Sequence, residues 1–168
     1  MTDFTSILPV DIKENVFKLI SKDFALVTAG DKNKFNTMTV SWGGLGELWS
    51  KKVAFIFIRP QRYTYEFIEN HDTFTISFYD DSYKGMLAFC GSKSGRDVDK
   101  VVETGLEPIF TDNSVCFKQA KLVLVCKKIY FQDLNPENFL SDDIMPLYKN
   151  DFHRMYVGEI IKVYKSIA

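Results

Sequence analysis

Strand-like segments come in two groups along this chain, and the helix-like segments among them are short. Phe24 to Ala29, Phe35 to Trp42, Val53 to Ile58 and Thr73 to Phe78 make the first group; Val115 to Gln119, Lys121 to Phe131 and Met155 to Tyr164 make the second. Aromatic and β-branched residues fill these runs, and Gly, Pro or Asp-rich turns punctuate them, as at Gly30-Asp31-Lys32-Asn33 and Pro60. A doubly wound parallel sheet would need regular β-helix-β alternation. The grouping predicts instead a mainly antiparallel barrel or sandwich with peripheral helices. Because no Gly-x-Gly-x-x-Gly opens a helix after a strand, a Rossmann dinucleotide domain has no support.

The helical expectations are modest. Pro9-Val10-Asp11-Ile12 followed by Val16, Leu19 and Ile20 has helical spacing, with Pro9 suited to a first turn. Further short helices are expected at Tyr63 to Asn70, Tyr83 to Phe89 and Ser94 to Thr104. In the last, Ser94 and Asp97 resemble a capping box, Val98, Val101 and Val102 give an apolar face, and Gly105 is a stop signal. Gly43, Gly44 and Gly46 are expected to break the strand that ends at Trp42, and Asn135-Pro136-Glu137-Asn138 to begin a helical turn or loop.

Composition narrows the function classes. The 168 residues fit one domain, residues 1–168, better than two, and a chain of this size can bury a real core without staples. Lys plus Arg is 21 against 22 for Asp plus Glu, so no global basic field exists to hold nucleic acid or an anionic membrane, although a local anion site is allowed. Apolar runs such as Val53 to Ile58 fall far short of the roughly 20 residues of a membrane helix. Met1-Thr2-Asp3-Phe4 lacks the basic and apolar regions of a signal peptide. Cys90, Cys116 and Cys126 are an odd number without a close pair, so the expected compartment is a reducing cytoplasm. With two histidines and no CxxC or HExxH, a structural metal site is not expected.

Three segments could carry chemistry. In Asn36-Thr37-Met38-Thr39-Val40-Ser41-Trp42, strand alternation puts Met38, Val40 and Trp42 on one face and three hydroxyls on the other, followed by glycines. Closely spaced small donors and acceptors suit a planar heterocycle with a polyol tail; the same pattern also reads as a half-buried strand with a solvent face. Arg59-Pro60-Gln61-Arg62-Tyr63-Thr64 sets two guanidiniums and a Thr at a helix start, which suits a phosphate; the alternative is that both arginines are solvated or pair with carboxylates. Cys90-Gly91-Ser92-Lys93-Ser94-Gly95-Arg96-Asp97 is a second anion cradle without the Walker pattern, or else a capped loop. Lys100 lies one turn on. Cys90 reads either as an activated thiolate or, more commonly for a free cysteine, as a small buried hydrophobe. His153, just before the last strand, could reach a ligand edge, whereas His71 reads as a turn residue.

Together these segments are more specific than any one of them. The order Asn36-x-Met38-Thr39-Val40-Ser41-Trp42-Gly43, Trp49, Arg59-Pro60-x-Arg62-Tyr63-Thr64, Ser94-Gly95-Arg96-Asp97-x-x-Lys100 and His153 to Glu159 resembles the flavin reductase-like, FMN-binding family, and within it the flavoredoxin-like branch. The likeness runs from about Phe24 to Val163. It implies a mainly β, antiparallel, Greek-key-like split barrel, working as a homodimer with FMN near the interface. It also implies that Asn36, Met38, Thr39, Val40, Ser41 and Trp42 line the flavin. Arg62 and Thr64 would hold the phosphate with Arg59 in support, and Cys90, Ser94, Gly95, Arg96 and Lys100 would close over the cofactor. His153 and Tyr156 would stand near the flavin or nicotinamide. By the same likeness the protein would be an NAD(P)H:flavin oxidoreductase or would reduce an acceptor through bound FMN. The alternatives are a non-enzymatic electron carrier serving a redox protein partner and an FMN-binding module without turnover. The flavin would carry the redox chemistry, so no side-chain nucleophile or acid–base pair is needed. A departure from the family stands at Trp42-Gly43-Gly44-Leu45-Gly46-Glu47-Leu48-Trp49, which replaces a longer Gly- and Ser-rich strand pair and weakens the expectation of direct NADH or NADPH use.

Overall fold

Every strand pairing in the computed structural model, which describes residues 3–111 and 114–167, is antiparallel. The first two residues of the leader reading lie outside the described residues. In chain order the strands are β1 (Phe4–Ile7), β2 (Ala25–Gly30), β3 (Phe35–Val40), β4 (Gly43–Leu48), β5 (Lys51–Ile58), β6 (Thr73–Phe78), β7 (Pro108–Thr111), β8 (Ser114–Phe117), β9 (Leu122–Asp133) and β10 (Arg154–Ser166). The helices are α1 (Val16–Lys18), α2 (Tyr63–Asn70), α3 (Lys84–Ser92) and α4 (Lys100–Thr104). One sheet runs β3-β2-β6-β9-β10-β5-β4, with β1 added along β10, and β7 and β8 form a separate ribbon.

Period-two alternation explains why the central strands are buried on both faces. In β2, Ala25, Val27 and Ala29 enter one core while Leu26 enters a second; in β9, Leu122, Leu124 and Cys126 enter the first while Val123 and Val125 enter the second. The first core also holds Ile56, Ile58, Phe74, Ile76 and Phe78; the second lies between the sheet and α3 with β8 and is filled by Tyr79, Leu87, Cys90, Cys116 and Phe117. Truncating a fully buried leucine such as Leu26 to alanine should cost about 2–5 kcal/mol, because the close-packed surroundings leave a cavity.

Several expectations are corrected. The N-terminal segment is not one helix: it is a strand, a 3-10 turn at Pro9–Asp11, the single-turn α1 and a π-helical turn at Leu19–Asp23. The strand from Phe35 does stop, at Val40, but the glycines after Trp42 then open a strand of their own. Gly43–Leu48 pairs residue for residue with Ile56 back to Lys51, and this ladder outweighs the low strand propensity of glycine. A helix from Ser94 is not formed either. Asp99 is the cap, accepting from the Val101 and Val102 amides, and α4 starts at Lys100; Val102 is exposed. Gly105 does end α4, in the left-handed region at φ 69°. The ribbon strand β7 was not expected, whereas α2 and β6 have the expected bounds.

Residues 134–153, between β9 and β10, form a long excursion with two 3-10 turns, closed at its base where Leu134 N–H donates to the His153 carbonyl (3.0 Å). Connections this long without regular structure are usually functional. This one stands beside the β5–α2 junction.

Candidate functional site

Two cavities meet at Met38, at the middle of β3. The first, about 160 Å³, is lined by Asn36, Met38, Gln61, Arg62, Thr64, Ser92, Lys93, Ser94, Gly95 and Lys100 among others. The second, about 200 Å³, is lined by Met38, Thr39, Val40, Ser41, Trp42, Phe57, Arg59 and His153. Together they form a groove along β3, one end cationic and the other aromatic.

At the cationic end, Pro60 halts β5 and α2 begins at once, with Arg62 as its N-cap residue and no side chain capping it. The first-turn N–H groups of a helix lack partners inside the helix, so they favour an anion there. Thr64 is buried, and its hydroxyl accepts from Asn36 Nδ2 at 2.7 Å. Arg62 donates to the Gly91 carbonyl (2.6 Å). Lys100 is almost fully buried, and its ammonium donates to the Thr37 and Cys90 carbonyls, each at 2.8 Å, leaving one of three donors uncommitted. No carboxylate pairs with Arg62 or Lys100 among the described residues. The resulting electrostatic strain shows in their acidities. Burial, and then the neighbouring Arg59, lowers the Arg62 pKa; burial takes Lys100 down to about 8, with Cys90 opposing and Arg62 adding to the fall. A buried Lys100 beside a half-buried Arg62, neither with a counter-charge, calls for an anion from outside.

The loop over this end is held by Arg96, which stacks over the Tyr63 ring (4.6 Å to the centroid), donates to the Gln61 carbonyl (3.2 Å) and pairs with Glu66 of α2. Gly95 allows the close approach. A Cβ there would come within 2.0 Å of Asn36 Oδ1 and 3.2 Å of the Tyr63 ring. A broader depression of about 580 Å³ lies on the other side of Gly95, where Arg96, Phe35 and Pro108 contribute to its walls.

The aromatic end is built differently. His153 is buried against Trp42, at 5.1 Å between ring centroids, with Phe57 and Tyr148 also edge-on to it. Its Nε2 accepts from Arg59 Nε (3.4 Å), so Nδ1 carries the proton and donates to the Tyr148 hydroxyl (3.0 Å). Burial and then the Arg59 charge push the imidazole pKa down to about 4, against a pull from Asp151, so the ring is neutral at pH 7. Arg59 itself pairs with Asp151, donates to the Leu147 carbonyl (3.1 Å) and lies over the Tyr148 ring.

Most of the expected residues converge on this groove, with four exceptions in detail. Arg59 lines the aromatic cavity and not the phosphate-like one, and it has a carboxylate partner. Arg96 is a clamp on α2 and does not line the cationic cavity. The Cys90 side chain is fully buried in the second core, its thiol pKa raised by burial, and only its carbonyl takes part, through Lys100. Tyr156 is fully buried in the first core, with its hydroxyl donating to Glu69 (2.5 Å). The hydroxyl face of β3 is also turned inward: Thr37 shares a hydrogen bond with Thr28 (2.8 Å) and Thr39 donates to the Leu87 carbonyl (2.5 Å). The Asn36–Met38–Val40 face lines the groove, joined at the aromatic end by Thr39 and by the exposed Ser41. Trp49 sits at the tip of the β4–β5 hairpin, packed edge-on against Tyr130. Gln61, Tyr63, Ser92, Lys93, Phe57, Tyr148 and Asp151 were not singled out. The first four lie inside the quoted motifs, so motif neighbourhood could have found them; nothing in sequence links Tyr148 or Asp151 to Arg59.

Comparison with known proteins agrees with this architecture. Residues 17–166 match the model of the flavin reductase-like domain, and the chain belongs to that family. No curated protein matches the chain. Among solved structures it is similar to a flavoredoxin from Methanosarcina acetivorans (23% identity, TM-score 0.68, covering 96% of this chain and 77% of that one). It is also similar to an FMN-binding domain of a flavin reductase-like enzyme from Shewanella baltica OS155 (19%, TM-score 0.70, 97% and 77%). A third is an NADH:FAD oxidoreductase from Streptomyces globisporus C-1027, solved with NAD and FAD fragments (14%, TM-score 0.65, 87% and 76%). At these identities the likeness establishes the fold, a split barrel.

Proposed function

We propose that this member of the flavin reductase-like family binds FMN along the β3 groove, as a single domain over residues 1–168, and acts as an NAD(P)H-dependent flavin oxidoreductase. The observation that carries the reading is a pair of cations, buried Lys100 and half-buried Arg62, without a carboxylate partner at one end of a groove whose other end is walled by Trp42, Phe57 and His153. That donor set fits a phosphate on one side and a planar ring on the other. Arg62, Thr64, Ser94, Gly95 and Lys100 would hold the phosphate, and Met38 to Trp42 with His153 would border the isoalloxazine. Bound FMN would supply the chemistry, taking an electron pair from a nicotinamide and passing it on.

The protein's own part is binding, orientation and exclusion of water. Lys100 and Arg62 fix the phosphate electrostatically, and the Arg96 clamp keeps the loop over it. Neutral His153 carries no imidazolium proton to give at pH 7, so it serves as a wall and as a support for Arg59. The reading includes a homodimer, in which a second copy would cover the open side of the groove, where Trp42 is exposed.

The carrier reading has its own support in the flavoredoxin likeness and in the short, glycine-rich β4. An anaerobic visible spectrum of FMN-loaded protein before and after NADH, then NADPH, separates the two. Prompt bleaching of the flavin band is expected of a reductase and would show its preference. Flavin that stays bound and oxidised would instead favour a carrier fed by a protein donor. Failure to retain FMN at all would overturn both.

A further inference from the structure

Asp151 lies in the excursion between β9 and β10, about 90 residues in sequence from the two side chains it holds. One oxygen, Oδ2, accepts from Arg59 Nη1 and from Gln61 Nε2 (2.8 Å); the other, Oδ1, accepts from the Lys149 amide (2.8 Å). Arg59 borders the aromatic cavity and Gln61 the cationic one. A single carboxylate therefore grips both halves of the groove at the β5–α2 junction. The grip is reinforced from the excursion by the Leu147 carbonyl on Arg59 and by the Tyr148 ring beneath the guanidinium. The Asp151 carboxyl is held down at about 2, first by the Lys149 amide and also by Arg59 and Gln61, so it is ionised at any working pH.

We propose that Asp151 is a positioning residue of the flavin site, fixing Arg59 and Gln61 and neutralising the guanidinium at the ring end. It lines neither cavity itself, and it acts through the two residues that do. The consequence rests on the flavin reading above. A flavin gains negative charge on reduction, and a nearby cation favours the charged form. An Arg59 balanced by Asp151 stabilises that charge less than a bare one would. Asp151 thus holds the bound flavin's potential below the value that an unpaired guanidinium would set.

The test compares the parent with Asp151→Asn, Asp151→Ser and Asp151→Glu. The measurements are FMN affinity by fluorescence quenching, midpoint potential of bound FMN by anaerobic titration, and fold by circular dichroism. Asn and Ser both remove the charge, so either serves if the other folds poorly. Expected is FMN affinity about tenfold weaker. Expected too is a potential more positive by a tenfold change in the redox equilibrium, about 30 mV for a two-electron couple. Asp151→Glu, which keeps the charge, should restore the potential toward the parent's. A neutral variant that loses only thermal stability, with the parent's potential and affinity, would show a merely structural role and overturn the inference alone. A parent that binds no FMN would overturn the flavin reading as well.

Discussion

The two ends of the groove treat positive charge in opposite ways. At the cationic end, half-buried Arg62 and buried Lys100 have backbone carbonyls as their hydrogen-bond partners and no carboxylate. At the aromatic end, Arg59 is met by Asp151 and rests over Tyr148. Neutral dipoles satisfy the hydrogen bonds of a buried cation but leave its charge uncompensated, whereas a carboxylate removes both demands. A site that keeps its cations unpaired is poised for an anion; one that pairs its cation is poised for an uncharged surface. The contrast divides the groove into an end with uncompensated positive charge and an aromatic end whose cation is neutralised, which on the proposed function would take the phosphate and the ring.

Removing a cation from the first end should have the largest effect. Arg62→Ala is expected to weaken FMN binding by roughly tenfold to a hundredfold, corresponding to about 1.5–3 kcal/mol for one charge-assisted contact, with riboflavin affinity unchanged in parallel titrations. Similar losses for both ligands would erase the distinction between the ends. The pH dependence sharpens it. Lys100 in the free protein loses its proton around pH 8, and phosphate favours the protonated form. FMN affinity should therefore be fully present below pH 8 and fall above it, approaching tenfold per unit, while riboflavin affinity stays level. At the ring end, Trp42→Ala should weaken FMN and riboflavin alike, by about two- to tenfold, the worth of one aromatic contact. The smallest effect is expected at Cys90. Burial raises its thiol pKa and the side chain faces the second core, so iodoacetamide should leave it unlabelled in the native protein and Cys90→Ser should bind FMN as the parent does.

Where chain punctuation was strong, the fold was legible in the sequence. Pro60 and the Asn70-His71-Asp72 turn bracket α2, and β6 follows with the expected bounds. Local signals misled where tertiary pairing overruled them. Gly43, Gly44 and Gly46 read as a break, but the β5 ladder takes them up as a strand. Ser94 and Asp97 read as a capping box, but the Arg96 clamp onto Glu66 and Tyr63 holds residues 94–98 as a turn, and the cap passes to Asp99. The site was legible as far as its motifs reach. Arg62, Thr64, Ser94, Gly95 and Lys100 converge because α2 and α3 both pack on β3, and the turn after α3 carries Ser94, Gly95 and the start of α4 to the same place. The counter-charge that separates Arg59 from Arg62 comes from Asp151, in an irregular excursion with no periodicity to mark it. Residue type alone shows two arginines three apart; only the fold shows which one is neutralised.

The most direct measurement is a side-by-side calorimetric titration of the parent protein with FMN and with riboflavin at pH 7. FMN binding at least about tenfold tighter than riboflavin is expected, since the only added group is the phosphate that the proposed function assigns to Arg62 and Lys100. Equal affinities would mean that these two unpaired cations serve something other than a flavin phosphate, and the division of the groove would fall with them.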